Sequence, residues 1–233
     1  AVREHFPQVR LIANQENEGF SRANNRAIRQ CVGDYVLLLN PDTQVMTGSL
    51  EKLVEFMENH PEAGAAGARL LNPDRSLQIS CHPQPTLSRE LWRLFHLDAL
   101  WTYGSYDMAA WSTEEPREVD VAKGACLMLR RAAMDEVGLL DEDYFIYSEE
   151  VDLCFRIRRG GWRLFWVPQA AVIHYEGQST KQLPLEMFLR LYRGKILYFR
   201  KNHGWGAAGA YKLILMAATL ARLLVGPLAL LEP

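Results

Sequence analysis

Residues 35–39, Tyr-Val-Leu-Leu-Leu, form an unbroken apolar run that stops at Asn40-Pro41-Asp42-Thr43. A short apolar run between turn residues predicts a strand buried on both faces, central in a sheet. Pro41 has no N–H to give to a ladder, so the strand ends there. Asp42 is thereby set just past the carboxyl end of a strand, the edge at which open α/β sheets bind ligands.

The same alternation continues along the chain. Residues 9–13 read as a short strand, followed by a polar, turn-rich stretch at 14–19. Residues 21–32 carry Ala23, Ala27, Ile28 and Cys31 at helical spacing, and Gly33 ends the helix. Leu50, Leu53, Val54 and Met57 predict a helix that stops before Pro61, and residues 63–71 a strand of small side chains. Residues 72–85 are loop-like, with Pro83 and Pro85 forbidding regular structure. Residues 119–129 return to strand character, interrupted at Lys123-Gly124-Ala125, where a glycine marks a bulge or a close backbone approach to a ligand. Helices are predicted over 131–137 and 149–159, the latter ended by Gly160-Gly161, and two strands over 163–167 and 171–175 about a turn at Pro168. Strand–helix alternation of this kind predicts a layered α/β domain with a mostly parallel sheet.

Two segments differ in kind. Residues 86–118 place Leu87, Leu91, Leu94 and Phe95 on one helix face, with Trp92, Trp101, Tyr103, Tyr106 and Trp111 nearby. Aromatic side chains at such spacing are mainly packing residues, and an aromatic acceptor wall is the alternative. Beyond residue 180 the pattern becomes long helices, at 185–201 and 211–231. The second is long enough to cross a bilayer, but Arg222 near its middle is costly there and Pro227 bends it. An interfacial helix, a span and a helix packed on the domain are the readings this pattern leaves. The expected domains are therefore 1–180 and 181–233.

Composition bounds the partners. The 233 residues suit one domain with an appendage, and a net charge of −2 lacks the basic stripe of a nucleic-acid binder. An anionic ligand would need a local device. The four cysteines show no C-x-x-C pair; Cys31, Cys126 and Cys154 read as small core residues, and a reduced, cytosolic compartment is expected.

Asp42, the Glu149-Glu150-Val151-Asp152 run and His174 are the candidate chemistry. Each alone has a structural explanation: a turn cap, acids favouring a helix N-terminus, a hydrogen-bonded strand-end histidine. Asp152 is placed to pair with Arg156 one turn on. In order and spacing, Asn17 to Asn25 (NEGFSRANN), Asn40-Pro41-Asp42-Thr43, Gly124-Ala125, the run YFIYSEEVDL from Tyr144, Arg158-Arg159-Gly160-Gly161-Trp162, Pro168 and Ile173-His174 resemble the inverting, metal-dependent nucleotide-sugar glycosyltransferases of family 2, of the bacterial rhamnosyltransferase-like kind.

The resemblance spans residues 9–180. It implies a GT-A (Rossmann-like) mixed, mostly parallel sheet flanked by helices, with a C-terminal helical extension. It implies Mg²⁺ or Mn²⁺ on the donor diphosphate, with Asp42 as the principal carboxylate and His174 completing the metal shell. Asn40 stands where the family motif has its first acid. Glu150 is the implied catalytic base, in a position where Asp is commoner, and Glu149 an acceptor contact. Asn17, Gly19, Arg22, Asn40, Asp42, Gly124 and Ala125 would line the donor side. The implied partners are a nucleotide-sugar donor and a glycan or lipid-linked acceptor, at the inner face of the cell membrane and without nucleic acid. The family's opening strand and its base-reading acid have no counterpart before Val9, so an exposed sheet edge, or a partner that completes the sheet, is expected. A nucleotidyltransferase and a non-catalytic scaffold module are the alternative functions.

Overall fold

The computed structural model describes residues 2–176 and 183–229. The expected domain boundary at 180–181 and the end of the last apolar helix, 230–231, lie outside the described residues. In chain order the elements are α1 (Val2–His5), α2 (Phe20–Ile28), β1 (Tyr35–Leu39), β2 (Thr43–Val45), α3 (Ser49–Asn59), β3 (Ala63–Leu71), β4 (Cys81–His82), α4 (Leu87–Leu94), β5 (Arg117–Glu118), β6 (Val121–Ala122), β7 (Cys126–Arg130), α5 (Arg131–Val137), α6 (Glu149–Arg159), β8 (Arg163–His174) and α7 (Pro184–Ala229).

The main sheet has the order β1-β7-β3-β8-β2, with β5 on the side of β8; β4 and β6 form a separate ribbon. The sheet is mixed, as expected, but not mostly parallel. Among the described residues only β3 and β8 run parallel, and β7 pairs antiparallel with both β1 and β3. The hydrophobic alternation places a core on each face. Val36, Leu38, Leu127, Leu129, Leu164 and Trp166 join one cluster with α2, α5, α6 and α7. Their neighbours Met128, Phe165, Val167, Ala66 and Ala68 face the other, under Leu53, Phe56 and Met57 of α3. A one-residue slip of any of these strands would exchange its two faces.

Several expectations need correction. β1 is the sheet's edge strand, not a central one: Val36 and Leu38 are buried, while Tyr35 and Leu37 are half-buried and Leu39 is exposed. Residues 9–13 form no strand, because among the described residues nothing pairs with them; Val9 and Leu11 face solvent. Cys31 is exposed, just past the end of α2, whereas Cys81, Cys126 and Cys154 are buried. The two strands expected about Pro168 are one strand, β8. Its register against β3 jumps from Ala68 opposite Val167 to Arg69 opposite Ala171, so Pro168, Gln169 and Ala170 form a bulge, where a missing N–H is tolerated.

The C-terminal helix breaks at Gly204, whose φ of 85° is non-helical. Past the break, Ala208, Tyr211 and Ala218 are buried against the domain. Arg222 donates to the carbonyl of Leu94 at 2.7 Å, so its charge is turned toward α4. Leu213, Met216, Leu220, Leu223 and Leu224 stay exposed. This is one helix apolar and long enough to cross a membrane by length and composition.

Candidate active site

A cavity of about 540 Å³ opens at the ends of β1, β7 and β8. Asn40, Asp42, Gly124, Ala125, Glu149, Glu150 and His174 all line it. Asn17, Gly19 and Arg22 do not. The Asn17 Oδ1 accepts from the Gly19 N–H at 3.1 Å, and Gly19 has φ 82°. A Cβ there would come within 2.5 Å of the Phe145 carbonyl oxygen, which instead accepts from the Phe20 N–H at 2.7 Å. Gly19 thus seats the start of α2 against the 144–147 loop, and it is Phe20 that reaches the cavity. Arg22 is exposed, 3.9 Å from Glu142.

Asp42 and His174 are brought together by strand register. Thr43 of β2 pairs with His174 of β8, and Asp42 Oδ1 lies 3.4 Å from His174 Nε2. The turn is fixed by Thr43 Oγ1 donating to the Asn40 carbonyl at 2.7 Å, while the Asn40 N–H donates to Ala125. Gln78, in the loop before β4, sets the imidazole. Its amide nitrogen donates to Asn72 Oδ1 (3.0 Å) and to the His174 carbonyl (3.2 Å), which turns its Oε1 toward His174 Nδ1 at 2.8 Å. With the amide oriented by that network, Nδ1 carries the proton. A ring unprotonated at Nε2 would direct that lone pair toward the Asp42 carboxylate, and Asn40 Nδ2 approaches the same nitrogen only at 3.5 Å. Two electron-rich atoms at this separation form half of a cation site with its outer hydrogen bond in place. Among the described residues no three His, Cys, Asp or Glu side chains cluster to form a metal shell by themselves. One or two protein ligands completed by phosphate oxygens and water is how Mg²⁺ is ordinarily held, so the donor set fits a diphosphate-bound divalent ion.

Glu149 and Glu150 open α6. The two residues before them, Tyr147 (φ 70°) and Ser148 (φ 73°), are both left-handed, a conformation that costs such residues on the order of 1–3 kcal/mol each. That turn aims the start of α6 into the cavity. Glu149 is buried and Glu150 half-buried, and each has an Oε2 without a hydrogen-bond partner. Burial pushes the Glu149 carboxyl well above the ordinary carboxylate range, and the charge of Glu150 adds to the effect. Burial also raises Glu150, against the pull of backbone N–H groups and of Lys123. Gly124 packs on the stem of Glu150: a Cβ there would be 3.6 Å from the Glu150 Cβ. Asp152, one turn on, is buried and accepts from Arg156 Nε and Asn202 Nδ2, both at 2.8 Å, the pairing expected from its spacing.

Sequence reasoning missed part of the wall. Gln78 lies in a loop with no motif to mark it. Lys123 reaches Glu176 at 3.0 Å. From the far side, Arg89, Glu90, Arg93 and Lys195 also line the cavity. Glu90 carried a signal: it falls among Leu87, Leu91 and Leu94, so a carboxylate occupies the inward face of an amphipathic helix. The aromatic segment divides. Tyr106 packs on Trp111 and Trp111 on Trp166, whereas Trp101 and Tyr103 are exposed, and none of these lines the cavity.

The model of the family described as "Glycosyltransferase like family 2" matches residues 1–192. The chain is 33% identical over 223 residues to the N-acetylglucosaminyl-diphospho-decaprenol L-rhamnosyltransferase of Mycobacterium tuberculosis, covering 89% of this chain and 72% of that protein. It is 28% identical over 178 residues to rhamnosyltransferase WbbL of Escherichia coli, covering 70% of this chain and 63% of the relative. Among solved structures, the mannosyltransferase PcManGT from Pyrobaculum calidifontis, in complex with GDP-Man and Mn²⁺, superposes with a TM-score of 0.54 at 17% identity, over 97% of this chain and 64% of that one. Fold, family match and relatives agree: the chain belongs to the family 2 glycosyltransferases, and it is a nucleotide-sugar glycosyltransferase with the GT-A fold, similar to rhamnosyltransferases of cell-envelope polysaccharide synthesis.

Proposed function

We propose that the chain transfers a sugar of the rhamnose kind, with inversion, from a nucleoside-diphosphate donor to a lipid-linked glycan at the cytoplasmic face of the membrane. One observation carries this reading: Asp42 lines one cavity with Glu150 and His174, which lie more than a hundred residues further along the chain. Inversion is a single displacement and needs one base on the acceptor face. Glu150 takes the proton of the acceptor hydroxyl. The hydroxyl oxygen forms its bond to the anomeric carbon as the bond to the donor phosphate breaks, and the diphosphate leaves. The raised carboxyl of Glu150 suits a base that works near neutral pH. Glu149 holds the acceptor hydroxyl beside it. Asn40 and the backbone at Gly124-Ala125 lie under the donor, with Asn17 and Gly19 acting through the placement of Phe20.

Asp42 and His174 would hold the divalent ion, Mg²⁺ or Mn²⁺. When bound, that ion offsets the charge developing on the leaving diphosphate. The Mn²⁺ in the PcManGT complex supports this part of the reading, and the diphospho-decaprenol in the mycobacterial relative's name supports a lipid-linked acceptor.

The exposed apolar face of α7 supports a helix that lies on the membrane, not across it. Its opposite face is packed on the domain, and Arg222 donates to the Leu94 carbonyl of α4. The test is sugar transfer from a panel of nucleoside-diphosphate sugars to a polyprenyl-diphospho-sugar, with the anomeric configuration of the product read by NMR. A product of inverted configuration is expected. A retained configuration, or nucleotidyl transfer in place of sugar transfer, would overturn the reading.

A further inference from the structure

The wall of the cavity opposite Asp42 and Lys123 is cationic. α4 presents Arg89, Glu90 and Arg93, and α7 presents Lys195. Glu90 is 5% exposed, and both of its oxygens are taken: Lys195 Nζ lies 2.9 and 3.0 Å from them and Arg93 Nη2 lies 2.8 Å from Oε2. Burial works against the charge on Glu90, but Lys195 and Arg93 overcome it and hold its carboxyl below the ordinary range. Burial pulls the nearby His82 down to about 4, so it adds no charge. Arg89 donates to the Gln84 carbonyl at 2.9 Å and lies 3.9 Å from Asp120, which Arg158 already engages at 2.7 Å. Arg93 and Lys195 therefore share one carboxylate on this wall, Arg89 lies beside them on the Gln84 carbonyl, and each cation carries more donors than these contacts use.

The position of this wall separates it from the donor side. On one flank of α6, the stem of Glu150 touches Gly124. On the other, α7 packs so closely that a Cβ on Gly194 would come within 2.7 Å of the Tyr147 carbonyl and 3.0 Å of Ser148 Oγ. Lys195 is the next residue. The Glu149-Glu150 start of α6 thus lies between Asp42 and His174 on one side and Glu90, Arg93 and Lys195 on the other.

We infer that Arg89, Arg93 and Lys195 form an acceptor subsite for a diphosphate, the group that joins a lipid to the sugar being extended. The inference rests on reading this cavity as the transferase site. Planar guanidinium forks and a buried ammonium suit the adjacent phosphates of such a group. The same two helices expose Leu91, Leu213 and Leu220, apolar surface that the lipid chain of the acceptor would cover.

The test uses farnesyl-diphospho-N-acetylglucosamine and, as a neutral probe, octyl N-acetylglucosaminide. Calorimetric binding and acceptor KM are measured for the wild type, Arg93→Gln and Arg89→Gln. Glu90 keeps Lys195 in both variants, and thermal melts show that each is folded; either variant alone suffices. A rise of tenfold or more in Kd for the diphosphate probe, with the neutral probe changed less than twofold and the gap narrowing in high salt, is expected. Equal losses for both probes, or none for the diphosphate, would overturn the subsite. Binding is read without turnover, so a chain that transfers no sugar would fail the transferase reading while the subsite is still decided.

Discussion

Asp42 and His174 meet because Thr43 and His174 are register partners: the residue before the pair brings its carboxylate within 3.4 Å of the imidazole Nε2. Two segments 132 residues apart are joined in this way by a three-residue strand, β2, that among the described residues pairs with β8 alone. The contact depends on Gln78, which holds Nδ1 at 2.8 Å. Gln78→Leu should weaken Mn²⁺ affinity by about 10–100-fold, the usual effect of losing an outer hydrogen bond to a ligand. Asp42→Ala should abolish the Mn²⁺-dependent part of the thermal shift given by UDP, GDP or dTDP. An unchanged Mn²⁺ dependence in Asp42→Ala would remove the pair from the metal site.

Glu149 gives a stability prediction whose sign follows from burial. Its carboxyl is held above the ordinary range in the folded chain, so the folded state keeps its proton where the unfolded state has lost it. Stability from this group is complete below the unfolded value and declines as pH rises through the folded one. Glu149→Gln removes that decline. The variant should melt higher than wild type at pH 8, by roughly 2–4 °C for each kcal/mol regained in a chain of this size, and the gap should shrink at pH 4. A gap that is the same at both pH values would show that burial of the charge is not the cause.

Asp152 lies two residues from Glu150 but does different work. It is 2% exposed and bound to Arg156 and Asn202. Removing one partner of a buried pair costs about 3–5 kcal/mol, so Asp152→Ala should fall in that range by urea denaturation. A loss below about 1 kcal/mol would contradict the structural role, since exposed pairs lose no more than that.

The outer face of α7 predicts where the protein sits. Leu213→Glu with Leu220→Glu places two charges on an exposed face, so folding should be unaffected while co-sedimentation with liposomes falls several-fold. Undiminished co-sedimentation would sink the membrane reading.

The cores and the cavity differed in how far the sequence disclosed them. The apolar run that resumes after Lys123-Gly124-Ala125 and the helical patterns in 131–137 and 149–159 mark the layers directly, and β7, α5 and α6 form there. Strand order was not readable, because β1 carries the same apolar run at an edge as it would at the centre. The tight spacing of Pro168 hid a bulge, since a proline interrupts a ladder whether the strand ends or continues. Asp42, Glu150 and His174 were visible through the ordered motifs. Gln78 and Lys195 were not, because each contributes one polar atom from a segment whose own pattern serves packing or turns.

The central claim is that Glu150 removes the acceptor proton in the cavity that Asp42 and His174 share. Glu150→Gln keeps the size and hydrogen-bonding shape of the side chain but cannot take a proton. Its kcat for sugar transfer should fall by about 10²–10⁴-fold, with donor binding by calorimetry within twofold of wild type. In the wild type, kcat/KM should fall on acidification at a pH above the ordinary carboxylate range, as the raised carboxyl requires. Transfer by Glu150→Gln at a rate near that of the wild type would contradict the account.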